Sequence, residues 1–150
     1  GTVIKHIPGH GLAKSDSHIR TPYIYKNLNY LKRNDFKVFK NKKSIFAMTA
    51  HIIFSKIDPT YTVTHSKKLI NIIRNEINFK NLIISDDISM KSLKFSTLTN
   101  TQKAFQAGCN LVLHCNARMS EMKVVAENSP KLDNFLLKKT LEFYKLVNIK

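Results

Sequence analysis

Three stretches carry side chains suited to chemistry, and each follows a short apolar run. The first is Lys5-His6-Ile7-Pro8-Gly9-His10-Gly11, with Asp16-Ser17-His18 close behind. Together they hold three of the six histidines and two of the four glycines. Lys5 and His6 at a strand end can donate hydrogen bonds to hydroxyls or to a carbonyl. In an extended loop, residues two apart point the same way. Asp16 can therefore bond one ring nitrogen of His18, fix its tautomer and raise the basicity of the other. That is a general acid/base dyad. The second stretch is Leu82-Ile83-Ile84-Ser85-Asp86-Asp87. A strand-end carboxylate there can serve as a nucleophile, a metal ligand or a helix cap. Asp87 suits the cap, because a helical turn can follow it, and Asp86 is the better nucleophile. The third, Ile45-Phe46-Ala47-Met48-Thr49-Ala50-His51, ends in a histidine with no definite role. Zinc is a competing reading if His6, His10, His18 and His51 cluster. The chain has no HExxH motif and no Cys/His pair at ligand spacing.

These residues need elements to position them. Strands are expected at Thr2–His6, Ile45–Met48, Leu82–Ile84 and Leu111–Leu113. Helices are expected over residues 24–35, 67–78, 99–107, 119–127 and 131–147, with 7–22 and 52–65 as loops. Ser66 is a natural N-cap for the second helix, whose stripe is Leu69, Ile70, Ile73 and Ile77. Gly108 stands where the third must stop. The strands are continuous apolar runs alternating with helices, which calls for a parallel sheet covered on both faces. Each strand ends C-terminally in reactive side chains: Lys5-His6, His51, Asp86-Asp87 and Cys115-Asn116. In a (β/α)8 barrel the active site lies at those ends. Four βα units make an open α/β sheet or part of a barrel.

Composition bounds the rest. With 150 residues and 43% apolar content, the chain can build one globular domain with a real core. No apolar run reaches the ~18 residues of a membrane helix. No leader precedes the first strand, yet the chain starts at Gly1 rather than Met, so an upstream leader stays open. Cys109 and Cys115 form no CxxC, as suits a reducing cytoplasm. The formal charge of +15 comes mostly from lysines scattered among Asn and Ile. Such a surface can attract nucleic acid. Without an RNP-like motif or a base-reading helix, nucleic acid is not the expected partner.

The Lys5–Gly11 stretch, Asp16-Ser17-His18, Met48-Thr49-Ala50-His51 and Ser85-Asp86-Asp87-Ile88-Ser89-Met90 occur in this order. Together they resemble the bacterial β-N-acetylhexosaminidases of glycoside hydrolase family 3. Residues 107–116 are similar to that family's last barrel strand. The resemblance implies a TIM (β/α)8 barrel, of which this chain covers about the last four βα units. It implies a retaining enzyme that uses no metal or other cofactor. Its substrate would be a saccharide with terminal β-linked N-acetylglucosamine, notably from muropeptides in cell-wall recycling in the cytoplasm. By the same resemblance Asp86 is the nucleophile, His18 the acid/base and Asp16 its partner. Lys5 and His6 correspond to the sugar-binding pair.

The chain also departs from the family. Asn81 stands where Gly is usual; Asn tolerates a left-handed backbone, which would preserve the turn. Thr62-Val63-Thr64-His65-Ser66 replaces Pro-Ala-Thr-Leu-Ser. The family's first four βα units are missing, and with them an aspartate and the arginines that hold the sugar. Residues 1–150 would be the C-terminal half of the catalytic domain: an excerpt, a split-gene product completed by an N-terminal half-barrel, or a remnant. Alone, such a half is expected to have little or no activity. The alternative from another class is a non-catalytic basic domain that binds nucleic acid or cell-wall fragments.

Overall fold

The four apolar runs do become parallel strands, and each lies beside the next along the chain. The computed structural model describes residues 1–147. Strand β1 (Val3–Ile7) opens the chain, followed by a long loop, a two-residue strand β2 (Tyr23–Ile24), helix α1 (Leu28–Arg33) and a 3-10 turn at Phe36–Phe39. Then come β3 (Phe46–Thr49), β4 (Ile53–Phe54), a 3-10 turn at Val63–His65 and α2 (Lys67–Asn75). The chain continues through β5 (Leu82–Asp87), α3 (Thr97–Ala107), β6 (Leu111–Leu113), α4 (Met119–Glu127) and α5 (Asn134–Leu146). The main sheet is parallel, in the order β1-β3-β5-β6. A doubly wound sheet reverses its strand order at a switch point. This one never reverses, so its four strands form an arc of barrel type, not closed on itself.

Local chemistry sets the helix ends. Ser66 Oγ accepts from Leu69 N at 3.2 Å and donates to Asp58 Oδ2 at 2.6 Å, capping α2 and tying it to the preceding loop. Leu69, Ile70 and Ile73 face inward with 2% exposure or less. Each such side chain contributes about 1.5–3 kcal/mol on burial. At the end of α3, Gly108 adopts φ 112° with Ile70 Cγ2 3.0 Å from where a Cβ would stand, so a side chain there would be both strained and crowded. The core joins these residues to Ile7, Leu31, Phe36, Phe54 and Ile83. At the N-terminal edge of the sheet, Asn110 Oδ1 accepts from Ile83 N at 2.9 Å and from Arg74 Nη2 at 2.7 Å, locking β5 to β6 below the site.

Several expectations need correction. The helix over 24–35 starts only at Leu28, where Asn27 Oδ1 accepts from Tyr30 N at 2.9 Å. Tyr23–Ile24 instead pairs in parallel with Ile53–Phe54, a long-range contact that local spacing cannot reveal. The last helix starts at Asn134 because Asp133 caps it, not at 131. Asn81 does not take up a left-handed backbone. Asn78 does so instead, with φ 62°, while Asn81 Nδ2 donates to Ser44 O at 3.0 Å.

Candidate active site

The strand ends converge at the C-terminal edge of the sheet, and two irregularities aim the key side chains. Along β1 and β3, Lys5 faces Met48 but Ile7 faces Thr49, so His6 is an extra residue. Along β5 and β6, Ile84 faces Leu111 and Asp87 faces Leu113, so three steps on β5 match two on β6. Bulges of this kind re-aim side chains beside active sites. His6 and Asp86 sit on the two bulges, with His6 Nε2 3.5 Å from Asp86 Oδ2. Their side chains are 27% and 13% exposed, enough to meet a ligand but sheltered from bulk water. Burial holds the His6 imidazole below its usual pKa, against the pull of Asp86, and His10, Lys5 and His51 push the same way as burial. His6 therefore stays neutral near pH 7 and faces Asp86 as a neutral ring rather than a cation.

The two carboxylates have different duties. Asp87 Oδ1 accepts from Ser89 N at 3.0 Å, Ser89 Oγ at 2.8 Å and Cys115 N at 3.1 Å. It organises the turn after β5 and braces the start of the loop after β6. Among the described residues, Asp86 Oδ1 accepts only from Asp87 N, at 2.9 Å, and Oδ2 is the oxygen facing His6. A carboxylate with one oxygen held and the other presented at a strand mouth suits attack on an electrophile.

The loop after β1 supplies the dyad. His18 Nδ1 lies 2.9 Å from Asp16 Oδ1, which also accepts from the His18 backbone N at 2.8 Å. The carboxylate can only accept, so Nδ1 carries the proton and Nε2 is the free reacting nitrogen. The backbone bond and then the side-chain bond from His18 hold the Asp16 carboxyl below its usual pKa, so it stays ionised. Both side chains are open to solvent, at 76% and 57% exposure. Among the described residues, no hydrogen bond or ion pair joins the dyad to Asp86. The same loop is anchored where Gly9 passes Asp35: a Cβ on Gly9 would lie 2.6 Å from Asp35 Cβ. Lys5, His6 and His10 line an open cleft of about 550 Å³ beside β1, within the roughly 300–1,000 Å³ of ligand sites.

His6 and His10 approach with ring centroids 5.3 Å apart. Among the described residues, no three His, Cys, Asp or Glu side chains converge as metal ligands. Thr49 and Thr64, to which the sequence assigned no role, lie beneath Asp86 together with His51. Asp86 N donates to Thr49 Oγ1 at 3.3 Å. Only the alternation Thr49-Ala50-His51 hinted at a shared face. Thr64 is 13 residues from His51, and no local pattern marks it.

A parallel arc of barrel type, with a carboxylate at one strand mouth and an Asp-His dyad on the neighbouring loop, is the architecture of a (β/α)8-type enzyme site. The family model for the glycosyl hydrolase family 3 N terminal domain matches residues 1–138, and the chain belongs to that family. It is 37% identical over 117 residues to a beta-hexosaminidase of Nitrosomonas eutropha, covering 75% of this chain and 34% of that protein. The crystal structure of CbsA from Thermotoga neapolitana aligns with a TM-score of 0.78 at 28% identity, over 97% of this chain and 36% of that one. NagZ from Neisseria gonorrhoeae in complex with N-trifluoroacetyl-D-glucosamine aligns with a TM-score of 0.76 at 27% identity, over 91% of this chain and 41% of that one. The chain thus spans between a third and a half of the length of the curated relatives it matches. Among the described residues, no helix is long and apolar enough to cross a membrane.

Proposed function

We propose that residues 1–150 are the C-terminal half of the catalytic domain of a retaining β-N-acetylhexosaminidase. The carrying observation is the pairing of Asp86, sheltered at the mouth of β5 with one oxygen presented to His6, with the exposed Asp16–His18 dyad. An Asp86 oxygen attacks the anomeric carbon of a terminal β-linked N-acetylglucosamine. The bond from that carbon to the leaving oxygen breaks, and His18 gives the leaving oxygen a proton. Water then loses a proton to His18 and attacks the same carbon, which releases Asp86. Two inversions retain the configuration. Asp16 stabilises the imidazolium and sets its orientation. Lys5 and His6, at the end of β1 where His6 faces Asp86, would hold the sugar hydroxyls. The resemblance supports muropeptide fragments as substrate and the cytoplasm as compartment.

The relatives' length and the outer edges of β1 and β6, which pair with no strand among the described residues, support the half-domain reading. An N-terminal half-barrel would complete both the sheet and the sugar site. The test is trapping. A fluorinated N-acetylglucosaminyl fluoride that forms the ester quickly and loses it slowly should add one sugar mass to the native protein, mapped to Asp86. Label on another carboxylate, or none during turnover of an aryl N-acetylglucosaminide, overturns the mechanism. The 150-residue chain alone should turn over that glycoside little or not at all. Robust turnover by it would overturn the half-site reading.

A further inference from the structure

The ladder between β3 and β5 ends at Met48 and Ile84. Beyond it, buried side chains take over the work of holding the Asp86–Asp87 dipeptide. At one end, the Asp86 backbone N–H donates to Thr49 Oγ1 at 3.3 Å. At the other, His51 Nε2 lies 2.9 Å from the Asp87 carbonyl oxygen. Thr49 Oγ1 and Thr64 Oγ1 are 2.8 Å apart, and Thr64 Oγ1 is 2.8 Å from His51 Nδ1. Thr49, His51 and Thr64 are each 0% exposed. The four contacts make a closed loop that begins and ends on the backbone of the dipeptide.

Its protons can be assigned. A carbonyl oxygen only accepts, so His51 Nε2 carries the ring proton. Burial keeps the ring neutral, outweighing the Asp87 carbonyl and the Asp86 and Asp87 charges, which favour protonation. Nδ1 is then an acceptor, and Thr64 donates to it. Thr64 has spent its proton, so Thr49 donates to Thr64 and in turn accepts from Asp86 N–H. Every buried polar atom in the loop is satisfied in one direction only. The segment that carries Thr64 is braced on both sides by Asp58. Asp58 Oδ1 accepts from Thr60 N at 3.1 Å and Tyr61 N at 3.2 Å, and its other oxygen takes the Ser66 hydroxyl.

We infer that His51, Thr64 and Thr49 are positioning residues that clamp the Asp86–Asp87 backbone and so fix the direction in which the Asp86 carboxylate points. None of the three touches the reacting atoms. The role rests on the reading of Asp86 as nucleophile; the arrangement of the three side chains does not. Holding the nucleophile within a fraction of an ångström is what makes the attack geometry productive, and a shift of about 1 Å can cost roughly 10²-fold in rate.

The test uses the native protein and an aryl N-acetylglucosaminide. Thr64→Val keeps the shape and removes the hydroxyl, so kcat should fall about 10- to 100-fold while KM moves by less than about three-fold. Thr64→Ser should restore most of the loss. An unchanged kcat per folded molecule in Thr64→Val, with only stability lowered, overturns the positioning role. Should Thr64→Val fail to fold, Thr64→Ser against Thr49→Val gives the same contrast. A second readout needs no turnover: nitrogen-15 spectra of the His51 ring at neutral pH should show Nε2 protonated and Nδ1 bare. The opposite tautomer, or an imidazolium, overturns the clamp. If Asp86→Ala leaves turnover intact while the tautomer is as assigned, the nucleophile reading has failed and the positioning role falls with it, although the loop of hydrogen bonds stands.

Discussion

Asp86 and His18 are the two reacting groups of one proposed mechanism, yet they are held in opposite ways. Asp86 stands on a strand bulge, 13% exposed, above a buried loop of three side chains. His18 stands on a surface loop, 76% exposed, held by Asp16 two residues away. The chemistry accounts for the difference. The nucleophile must meet one carbon along one line, so any freedom is lost rate. The acid/base must serve a leaving oxygen and then an incoming water, and a short-range dyad keeps its tautomer wherever the loop carries it. Rigidity is concentrated where direction matters, and local self-sufficiency where the group must reach.

The comparison can be broken or sharpened by substitution. Asp86→Ala should have the largest effect, a loss of about 10⁴- to 10⁶-fold in kcat, read with an activated aryl glycoside. A smaller loss would show that the fixed carboxylate is not the nucleophile. His18→Ala should cost about 10²- to 10⁴-fold. The loss should shrink for substrates with a good leaving group, which needs no proton. Asp16→Ala should cost less than His18→Ala, because the ring remains and only its orientation and charge stabilisation are lost. The urea midpoint should not move for either loop variant, since both side chains lie in solvent. His51→Ala, by contrast, should lower stability by about 2–4 kcal/mol, since it opens a cavity and strips partners from Thr64 and the Asp87 carbonyl.

Acid should separate the two regions as well. Burial lowers the pKa of His65 to about 4 and also lowers those of His6 and His51. Their folded pKa values lie below the unfolded value, so the unfolded chain binds more protons. The stability these neutral rings represent is complete above the unfolded pKa of 6.5 and, for His65, is lost progressively as pH falls from there toward 4. Urea midpoints measured across that window should therefore drop with acid. His65→Leu should flatten the slope by up to about one proton.

Local grammar made much of this legible. Ser66 caps α2, Gly108 ends α3, and α4 covers the residues its spacing predicts, because each depends on neighbours a few positions away. The Asp16–His18 bond follows from a spacing of two. The clustering of reactive residues at strand ends, and the family they resemble, followed from order along the chain. What stayed hidden needed partners distant in sequence. Tyr23–Ile24 became a strand only because Ile53–Phe54 lay alongside it, so the helix expected there was too long.

The sequence by itself determined the βα alternation, the helix ends at Ser66 and Gly108, the family and the candidate reacting residues, since these depend on residue type and short spacing. Only the tertiary structure decided the unreversed strand order, the two bulges that aim His6 and Asp86, and the work of Thr49, His51 and Thr64. Register between strands and the direction of a buried hydrogen bond are fixed by what packs against them. Contacts as far apart as the 36 residues between His51 and Asp87 leave no local trace.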